Sequence, residues 1–381
     1  MNKVYYVGYY DTPDSKQQRV WFPSATNFMD YISDKICANG YDVEIVSMSD
    51  SKAQKIEHGL HRQLGNKKYL KLFLSFGKKN NLLRRLDIHF LRFQMFIYLF
   101  THVKKNDVVI VYHSLNYVRV LTWLKKIKHY KCISHFCEVY SEVSNDLPKK
   151  LIDHEFDLIN MSDAYIFSNY YLQQTYNTKH LNYTIIHGIY KPFSYEKCEK
   201  FDDGKIHVVY AGTLDSRKGG AAAAAAAAFL DERYHVHILG FGSEEQITQI
   251  KEQIDKSKQS SQAEITYDGL LSGKEFTDFL SKCHIGLATQ IPDASFCKSS
   301  FPSKVLTYLA CGLEVVSSRY EAVEHSDVGG CLHYYDGQAP QDIAKCIMET
   351  KPNGKSIEKL LELDNRFGLE IDRLITDLMK R

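Results

Sequence analysis

Residues 208–220 read VVYAGTLDSRKGG. The run begins as a buried strand, turns at Gly212 and reaches Gly219 at the start of an alanine-rich helix, with Arg217 and Lys218 just before it. A helix N-terminus with free backbone N–H groups, glycines that permit close approach and a neighbouring cation together make a site for a diphosphate. The alternative is an ordinary strand–turn–helix with surface bases.

A second segment, residues 299–318, reads SSFPSKVLTYLACGLEVVSS. Pro302 and Gly312 bracket a helix according to the preference for proline at the start and glycine just past the end. Ser303 and Lys304 then fall in the first turn, where backbone N–H groups and a cation can hold a second phosphate position. Here the alternative is a capped core helix with one exposed lysine.

Outward from these segments, short apolar runs alternate with helical stretches, as in parallel βαβ units. Strands are predicted at Val4–Tyr9, Val43–Met48, Val108–Tyr112, Cys132–Cys137, Ala164–Phe167, Thr184–His187, Ile206–Ala211, Val236–Leu239, Ile265–Tyr267, Ile285–Ala288 and Glu314–Ser317. The fold class is therefore α/β, with two tandem Rossmann-like doubly wound domains facing a cleft. The domains are predicted at 1–190 on the acceptor side and 205–350 on the donor side, joined by a 191–204 linker, with a helix in 351–381 that returns to the first domain.

Composition excludes several classes of protein. The 381 residues are 44% hydrophobic and 25% charged, which is typical of a globular chain rather than a disordered or fibrous one. Nine scattered cysteines without ligand spacing argue against a disulfide framework or a structural zinc site. Without a signal-like or spanning apolar run, a cytoplasmic location is expected. The net charge of +2 divides into +8 for residues 1–190 and −6 for the remainder.

Two further motifs, LGFG at Leu239–Gly242 and TYDGLL at Thr266–Leu271, lie between the phosphate segments. In this order the motifs resemble the C-terminal domain of GT-B glycosyltransferases of the retaining family-4 type, and the FPSK variant resembles polysaccharide-building members. The resemblance implies a nucleotide diphosphate sugar as donor substrate and no separate cofactor. It implies that Lys218 contacts the diphosphate and stabilises the leaving group. The implied donor-binding residues are Gly212, Arg217, Lys218, Gly219, Gly240, Gly242, Tyr267, Ser303 and Lys304.

The chain departs from the family pattern at the acidic pair. Family-4 enzymes usually carry two glutamates eight residues apart, but these positions fall on Ser299 and Thr307. The arginine that usually accompanies the lysine falls on Thr213, which leaves Arg217 as a displaced substitute. Retention of configuration is therefore not assigned.

Candidate acceptor-side residues follow two strands of the first half. His113 follows one strand and Glu138 follows another, so both are expected at strand ends that face the cleft, where a general base must reach an acceptor hydroxyl. For each, the alternative is a hydrogen-bonded loop residue, which is the favoured interpretation for Glu142. His235 and His237 alternate on one strand face, but two histidines are too few for a metal site, so core or cleft histidines are expected.

A basic segment, Arg62–Arg92, contains nine Lys and Arg residues with Asp87 as its one acid and continues into LDIHFLRFQMFIYLF. Such a basic, aromatic stretch suits the surface of an anionic membrane. The alternative is a helix packed on its own domain with solvated bases outside. Nucleic acid is not expected, because no recognition motif accompanies the charge.

The sequence predicts a metal-independent hexosyltransferase that adds a sugar to a glycan, with a lipid-linked glycan as one candidate acceptor. No Asp-x-Asp or clustered carboxylates lie near the phosphate segments, hence no metal is expected. A nucleotide-sugar epimerase and a non-catalytic nucleotide-sugar or glycan-binding partner remain alternatives. A dehydrogenase is disfavoured because VGYYDTPDS, rather than GxGxxG, follows the first strand. The sugar, base, acceptor, linkage and catalytic base stay open.

Overall fold

The structure is a computed structural model that describes residues 3–77, 81–143, 147–193, 199–292, 297–337, 339–352, 354 and 356–380. The chain divides into two compact units. The first contains the residues up to His187 together with those from Arg366 onward, and the second runs from Gly188 to Asn365.

The described residues of the first unit form one eight-stranded sheet in the order β3-β4-β2-β1-β5-β6-β7-β8. Its strands are β1 Lys3–Gly8, β2 Asp42–Ser47, β3 Leu60–Gly65, β4 Lys68–Leu72, β5 Val108–Tyr112, β6 Lys131–Phe136, β7 Ala164–Phe167 and β8 Tyr183–Ile185. The accompanying helices are α1 Pro23–Ala38, α2 Asn81–His102, α3 Val118–Lys128, α4 Tyr140–Val143, α5 Lys149–Met161 and α6 Tyr170–Tyr176. The central strands are buried on both faces, as expected for a parallel sheet covered by helices.

The hairpin β3–β4 was not predicted from the sequence. It is the antiparallel pair at the edge of this sheet, and it occupies the first part of the basic segment Arg62–Arg92, whose later part forms α2. Residues of β3 alternate between half-buried and exposed, so the hairpin lacks the apolar run used to find the other strands. The two strands are joined by the turn Asn66–Lys67, in which Lys67 has a left-handed conformation, φ 61°, and the available sequence signal was the Gly65–Asn66 pair at the end of β3.

The described part of the second unit contains a six-stranded parallel sheet in the order β11-β10-β9-β12-β13-β14. Its strands are β9 Ile206–Thr213, β10 Tyr234–Phe241, β11 Glu264–Gly269, β12 Ile285–Ala288, β13 Glu314–Ser318 and β14 Leu332–Tyr335. The helices are α7 Gly220–Ala226, α8 Glu244–Lys258, α9 Gly273–Lys282, α10 Ser303–Ala310, α11 Glu321–Glu324 and α12 Pro340–Glu349, together with the part of α13 Ser356–Lys380 that precedes Arg366. The short edge strand β14 was also missed. Both sheets, parallel apart from the β3–β4 pair, confirm the predicted α/β class.

The part of α13 from Arg366 onward belongs to the first unit and packs within it. The Asn39 side-chain amide donates to the Gly368 carbonyl at 2.8 Å, and the Tyr41 hydroxyl donates to Asp372 at 3.1 Å. The Thr184 hydroxyl also donates to Glu370 at 2.6 Å. Residues at the C-terminal end of the chain thus belong to the same compact unit as the N-terminal sheet.

The strand order of the second unit reverses at β9. From β9 the chain moves outward to β10 and β11, and then returns to pair β12 on the other side of β9. In parallel α/β sheets, ligands bind outside the carboxyl ends of the strands at such a switch point. Residues 211–220, which follow the buried part of β9, therefore occupy the position where this unit is expected to bind a ligand.

Candidate functional site

Two glycines bring the ends of β9 and β10 into close contact. Gly212 and Gly240 are paired in the sheet and both have φ 155°, a region that other residues rarely adopt. A Cβ atom on Gly240 would lie 1.9 Å from the Gly212 carbonyl oxygen, so no side chain fits there. The Tyr267 hydroxyl donates to the Gly240 carbonyl at 3.1 Å, which joins the end of β11 to the same edge.

The turn that carries Lys218 is fixed from the other side of the switch point. Gly219 has φ 87°, and a Cβ atom there would lie 1.7 Å from the Thr289 carbonyl oxygen. The Thr289 hydroxyl donates to the Gly219 carbonyl at 2.7 Å, and the Ile291 N–H donates to the Arg217 carbonyl at 3.2 Å. The segment after β12 therefore holds the backbone on both sides of Lys218.

Lys304 contributes a buried cation at this site. It lies in the first turn of α10, and its stem is partly exposed, but its Nζ atom is buried and has no hydrogen-bond partner among the described residues. The ammonium lies 3.7 Å from the centroid of the Tyr210 ring. Burial, together with the nearby charge of Lys218, lowers the pKa of Lys304 to about 7. The two sequence motifs thus contribute to the same site, because the Lys218 and Lys304 ammonium groups are close enough to repel each other.

Two tyrosines that sequence reasoning missed support these groups. Tyr210 on β9 lies beneath the Lys304 ammonium, and its hydroxyl is 2.8 Å from the Thr213 carbonyl and 3.1 Å from the Lys218 carbonyl. The Tyr308 hydroxyl accepts from the Ala211 N–H at 2.7 Å and so ties α10 to β9. Tyr210 lies inside a predicted strand and Tyr308 inside a predicted helix, and an aromatic residue in such an apolar run usually indicates core packing.

The remaining predicted donor residues differ in their surroundings. The Arg217 guanidinium is exposed and pairs with Asp215, with Nη2 2.8 Å from Oδ2. Gly242 precedes the capping box at the start of α8, and a Cβ there would lie 2.6 Å from the Gln246 side-chain oxygen. Ser303 is exposed in the first turn of α10. At the position of the first family glutamate, Ser299 is fully buried and its hydroxyl has no described hydrogen-bond partner.

In the first unit, His113 is buried between two groups. Its Nδ1 atom is 2.7 Å from the Glu138 carbonyl oxygen, and its Nε2 atom is 2.8 Å from Oε1 of the buried Glu155. Burial raises the pKa of Glu155, but hydrogen bonds from His113 and from the Ser141 hydroxyl and N–H outweigh it, so the net shift is downward. Both ring nitrogens of His113 are engaged, which favours a role in holding the loop that carries Glu138.

Glu142 lies in the short helix α4 rather than in a loop, and its carboxylate is hydrogen-bonded as expected. Glu142 accepts from the Tyr171 hydroxyl at 2.9 Å and from the Tyr176 hydroxyl at 2.6 Å. The Glu138 side chain is half-buried at the end of β6. Its role toward an acceptor hydroxyl stays a prediction.

The donor motifs lie inside a recognisable family domain. Residues 205–350 match the family described as "Glycosyl transferases group 1". This part of the chain is similar to the group 1 glycosyltransferases. This match supports the resemblance to GT-B glycosyltransferases that the four motifs indicated, whereas the assignment to family 4 stays a prediction.

Solved structures show the same fold over the whole chain. Sucrose-phosphate synthase from Thermosynechococcus elongatus matches with a TM-score of 0.73 at 12% identity, and covers 99% of both chains. The UDP-forming α,α-trehalose-phosphate synthase from Burkholderia vietnamiensis matches with a TM-score of 0.65 at 11% identity over 99% of this chain and 98% of that chain. Anabaena HepE, in complex with UDP, matches with a TM-score of 0.62 at 11% identity over 99% of both chains. A search of curated protein sequences finds no relative of this chain. The fold is that of the GT-B glycosyltransferases.

Proposed function

We propose that this glycosyltransferase moves a hexose from a nucleoside diphosphate sugar to a glycan acceptor, with the diphosphate bound by Lys218 and Lys304. The observation that carries the proposal is the buried Lys304 ammonium, which has no described hydrogen-bond partner and lies near a second cation. An uncompensated buried charge is costly and indicates a missing counter-ion. A diphosphate is such an anion. The glycine turn and the N-terminus of the helix that follows it also suit a diphosphate, because their backbone N–H groups can bind it.

The same cations stabilise the leaving group. Breaking the bond between sugar and diphosphate places negative charge on the β-phosphate, and the two ammoniums meet that charge without reorganisation, since Thr289 and Tyr210 fix their surroundings. Diphosphate binding also favours the charged form of Lys304, whose pKa is lowered to about 7 in its absence. This chemistry requires no divalent metal at the phosphates.

The nucleotide proposed for the first test is UDP. Three observations guide the choice: HepE of the same fold was solved in complex with UDP, the trehalose-phosphate synthase is UDP-forming, and Tyr267 borders the proposed donor site. The acceptor carboxylate is Glu138, with His113 as a positioning residue that holds its carbonyl group.

The decisive assay incubates the purified chain with a panel of nucleotide sugars, with and without glycan acceptors. Transfer with release of nucleoside diphosphate supports the proposed reaction. An epimerised donor without release would instead identify an epimerase, and thermal protection by the nucleotide sugar without turnover would identify a binding protein. The proposed donor site would be contradicted if no nucleotide sugar protected the chain against heat, was hydrolysed or was used for transfer.

We further propose that α2 docks the first unit on an anionic membrane. Five exposed apolar residues of α2 lie within about 60° of one another at 100° per residue: Leu82, Leu86, Phe93, Ile97 and Phe100. Arg85 is exposed about 60° from this stripe, Arg84 is exposed on the opposite side of α2, and Trp123 is exposed on α3. An apolar stripe with basic and aromatic neighbours matches a helix lying at an anionic interface. Among the described helices, none is long and apolar enough to cross a bilayer.

Cosedimentation with vesicles tests this surface. Arg84→Glu with Arg85→Glu is expected to weaken binding to vesicles of phosphatidylcholine and phosphatidylserine, and wild-type binding should fall with added salt. The matched control is Lys256→Glu with Lys258→Glu on exposed positions of α8, which makes the same change in net charge. Equal loss in both double variants, or no binding by the wild type, would assign α2 an ordinary packing role.

A further inference from the structure

Three histidines meet on one face of the second sheet. His207 on β9 pairs in register with His235 on β10, and His237 lies two residues further along β10. One ring nitrogen from each histidine lies within 4.8 Å of the others. His207 and His237 are buried, and the His235 side chain is 12% exposed. The sequence suggested only the pair on β10, because His207 lies on a different strand and its proximity depends on the sheet register.

Two of these imidazoles point at each other while their outer nitrogens contact carboxylates. Nδ1 of His207 is 2.8 Å from Nε2 of His237. The outer Nε2 of His207 is 2.8 Å from Asp203, and the outer Nδ1 of His237 is 3.1 Å from Asp268. If each outer nitrogen donates to its carboxylate, two neutral imidazoles have no hydrogen left for the inner contact. Two lone pairs then face each other, and one cation between them would remove the repulsion.

We propose that His207, His235 and His237 bind one zinc ion. Neutral imidazole is a preferred ligand of Zn²⁺, and a histidine ligand characteristically donates its other ring N–H to a carboxylate, as Asp203 and Asp268 are placed to accept here. His235 adds a third nitrogen, its ring centroid being 3.9 Å from that of His237. The three ligand nitrogens come from β9 and β10. The carboxylates that accept from the histidines come from β11 and from the segment before β9.

The imidazoles must shift to hold the ion. Zinc–nitrogen bonds of about 2.0–2.1 Å in a tetrahedral site put the ligand nitrogens roughly 3.3 Å apart, so the inner contact of 2.8 Å must open by about half an ångström. The three ligand nitrogens lie within 4.8 Å of one another, so the His235 nitrogen must move inward by up to about 1.5 Å. A cavity of about 570 Å³, lined in part by Asp268, Phe201 and Phe279, lies beside the cluster and provides an entry path. Phe201 also stacks on His207 with ring centroids 4.2 Å apart, so the neighbouring segment closes over the ligands.

This zinc site is distinct from the diphosphate site. His207 precedes Gly212 by five residues on β9, which corresponds to about 16 Å along an extended strand. The ion would therefore link β9, β10 and the 199–203 segment rather than contact the sugar donor. Zinc is expected to raise the thermal midpoint of the chain, because it binds the folded site in preference to the unfolded chain.

The test uses the full-length chain after removal of metal with a chelator, with Zn²⁺ alone as probe. Equilibrium dialysis with elemental analysis should find one zinc per chain, and the thermal midpoint should rise with zinc. His237→Gln should weaken zinc binding by more than 100-fold, and Asp268→Asn, which alters a positioning residue, by about 10–100-fold. His333→Gln is the matched control, because His333 pairs with Glu314 on the same sheet away from the cluster.

Replacing zinc with cobalt distinguishes metal binding by the histidines from metal binding by cysteine thiols. The eight described cysteines are free thiols, which could bind zinc elsewhere. A cobalt spectrum without thiolate charge-transfer bands supports the histidine site. Absence of stoichiometric zinc binding by the wild type, thiolate bands in the cobalt spectrum, or unchanged affinity in His237→Gln would each overturn the proposal, and the first two do not depend on how any variant folds.

Discussion

Replacing Lys304 with methionine should stabilise the unliganded protein while impairing donor binding. Methionine keeps an unbranched, flexible side chain of similar length, but it removes an ammonium that is buried 3.7 Å above the Tyr210 ring without a described hydrogen-bond partner. Burial and the charge of Lys218 lower the pKa of Lys304 to about 7. A lysine that resists protonation in the folded state destabilises that state at neutral pH.

The magnitude follows from the two pKa values. An unfolded lysine titrates near 10.4, so the drop to about 7 corresponds to about 4 kcal/mol at pH 7. The lost cation–π contact with Tyr210 offsets roughly 0.5–2 kcal/mol. We expect Lys304→Met to be more stable than the wild type by about 2–3.5 kcal/mol at pH 7.

The sign of the pH dependence provides a second check. Between about pH 7 and pH 10.4 the unfolded chain holds the Lys304 proton and the folded chain has released it, so the contribution of Lys304 to stability rises with pH. The advantage of Lys304→Met should therefore shrink as the pH approaches 10. Above the unfolded pKa it should disappear.

Urea unfolding at pH 7 and pH 10, with calorimetric titration of UDP at pH 7, measures both effects. The matched control is Lys274→Met, since Lys274 is 85% exposed and pairs with Asp278 in the same unit; this variant should change neither property by much. The claim that Lys304 is a buried cation that binds the diphosphate would be refuted if Lys304→Met were no more stable than the wild type at pH 7 and bound UDP with wild-type affinity.

Three other predictions test separate parts of the structure. Gly219→Ala should destabilise the second unit and abolish UDP binding, because a Cβ would lie 1.7 Å from the Thr289 carbonyl, whereas Gly273→Ala, at φ 54° in open space, should cost only about 1–2 kcal/mol; equal losses in urea unfolding would contradict this. Glu155→Gln should cost about 1–3 kcal/mol at pH 7. Since the pKa of Glu155 is lowered, its contribution is present above about pH 4.3 and is lost as the pH falls through the folded pKa; a constant gap between the unfolding curves down to pH 2 would argue against it. Initial transfer rates should persist in excess chelator, even after zinc is stripped from the histidines, and a complete loss restored by manganese or magnesium would refute metal-independent transfer.

The sequence predicted those elements whose burial is uniform. Strands such as Val108–Tyr112 are buried on nearly every residue, so a short apolar run between turn signals was sufficient to find them. The hairpin β3–β4 and the edge strand β14 were missed because their residues are only partly buried and many are polar. Edge strands face solvent on more sides than central strands, which weakens the hydrophobic pattern on which such predictions depend.

Within the candidate site, local motifs were easier to predict than contacts between distant segments. Gly219 and Lys304 could be chosen because a glycine turn and a proline-started helix are visible in a few consecutive residues. The position of Tyr210 under the Lys304 ammonium and the approach of His207 to His237 depend on sheet order and register. Neither contact can be predicted from the spacing of these residues along the chain, because the partners lie on different elements.

The most direct measurement of the donor site compares Lys218→Ala, Lys304→Ala and the double variant with the wild type. Calorimetry with UDP and a transfer assay are run on the same preparations. Each single change should weaken UDP binding by roughly 1.5–3 kcal/mol, the worth of a hydrogen bond to a charged group, and the transfer rate should fall further because the charge on the diphosphate grows as the sugar leaves. The effects should be non-additive, since both cations meet the same anion. Wild-type UDP affinity in both single variants would contradict this account and would place the diphosphate elsewhere.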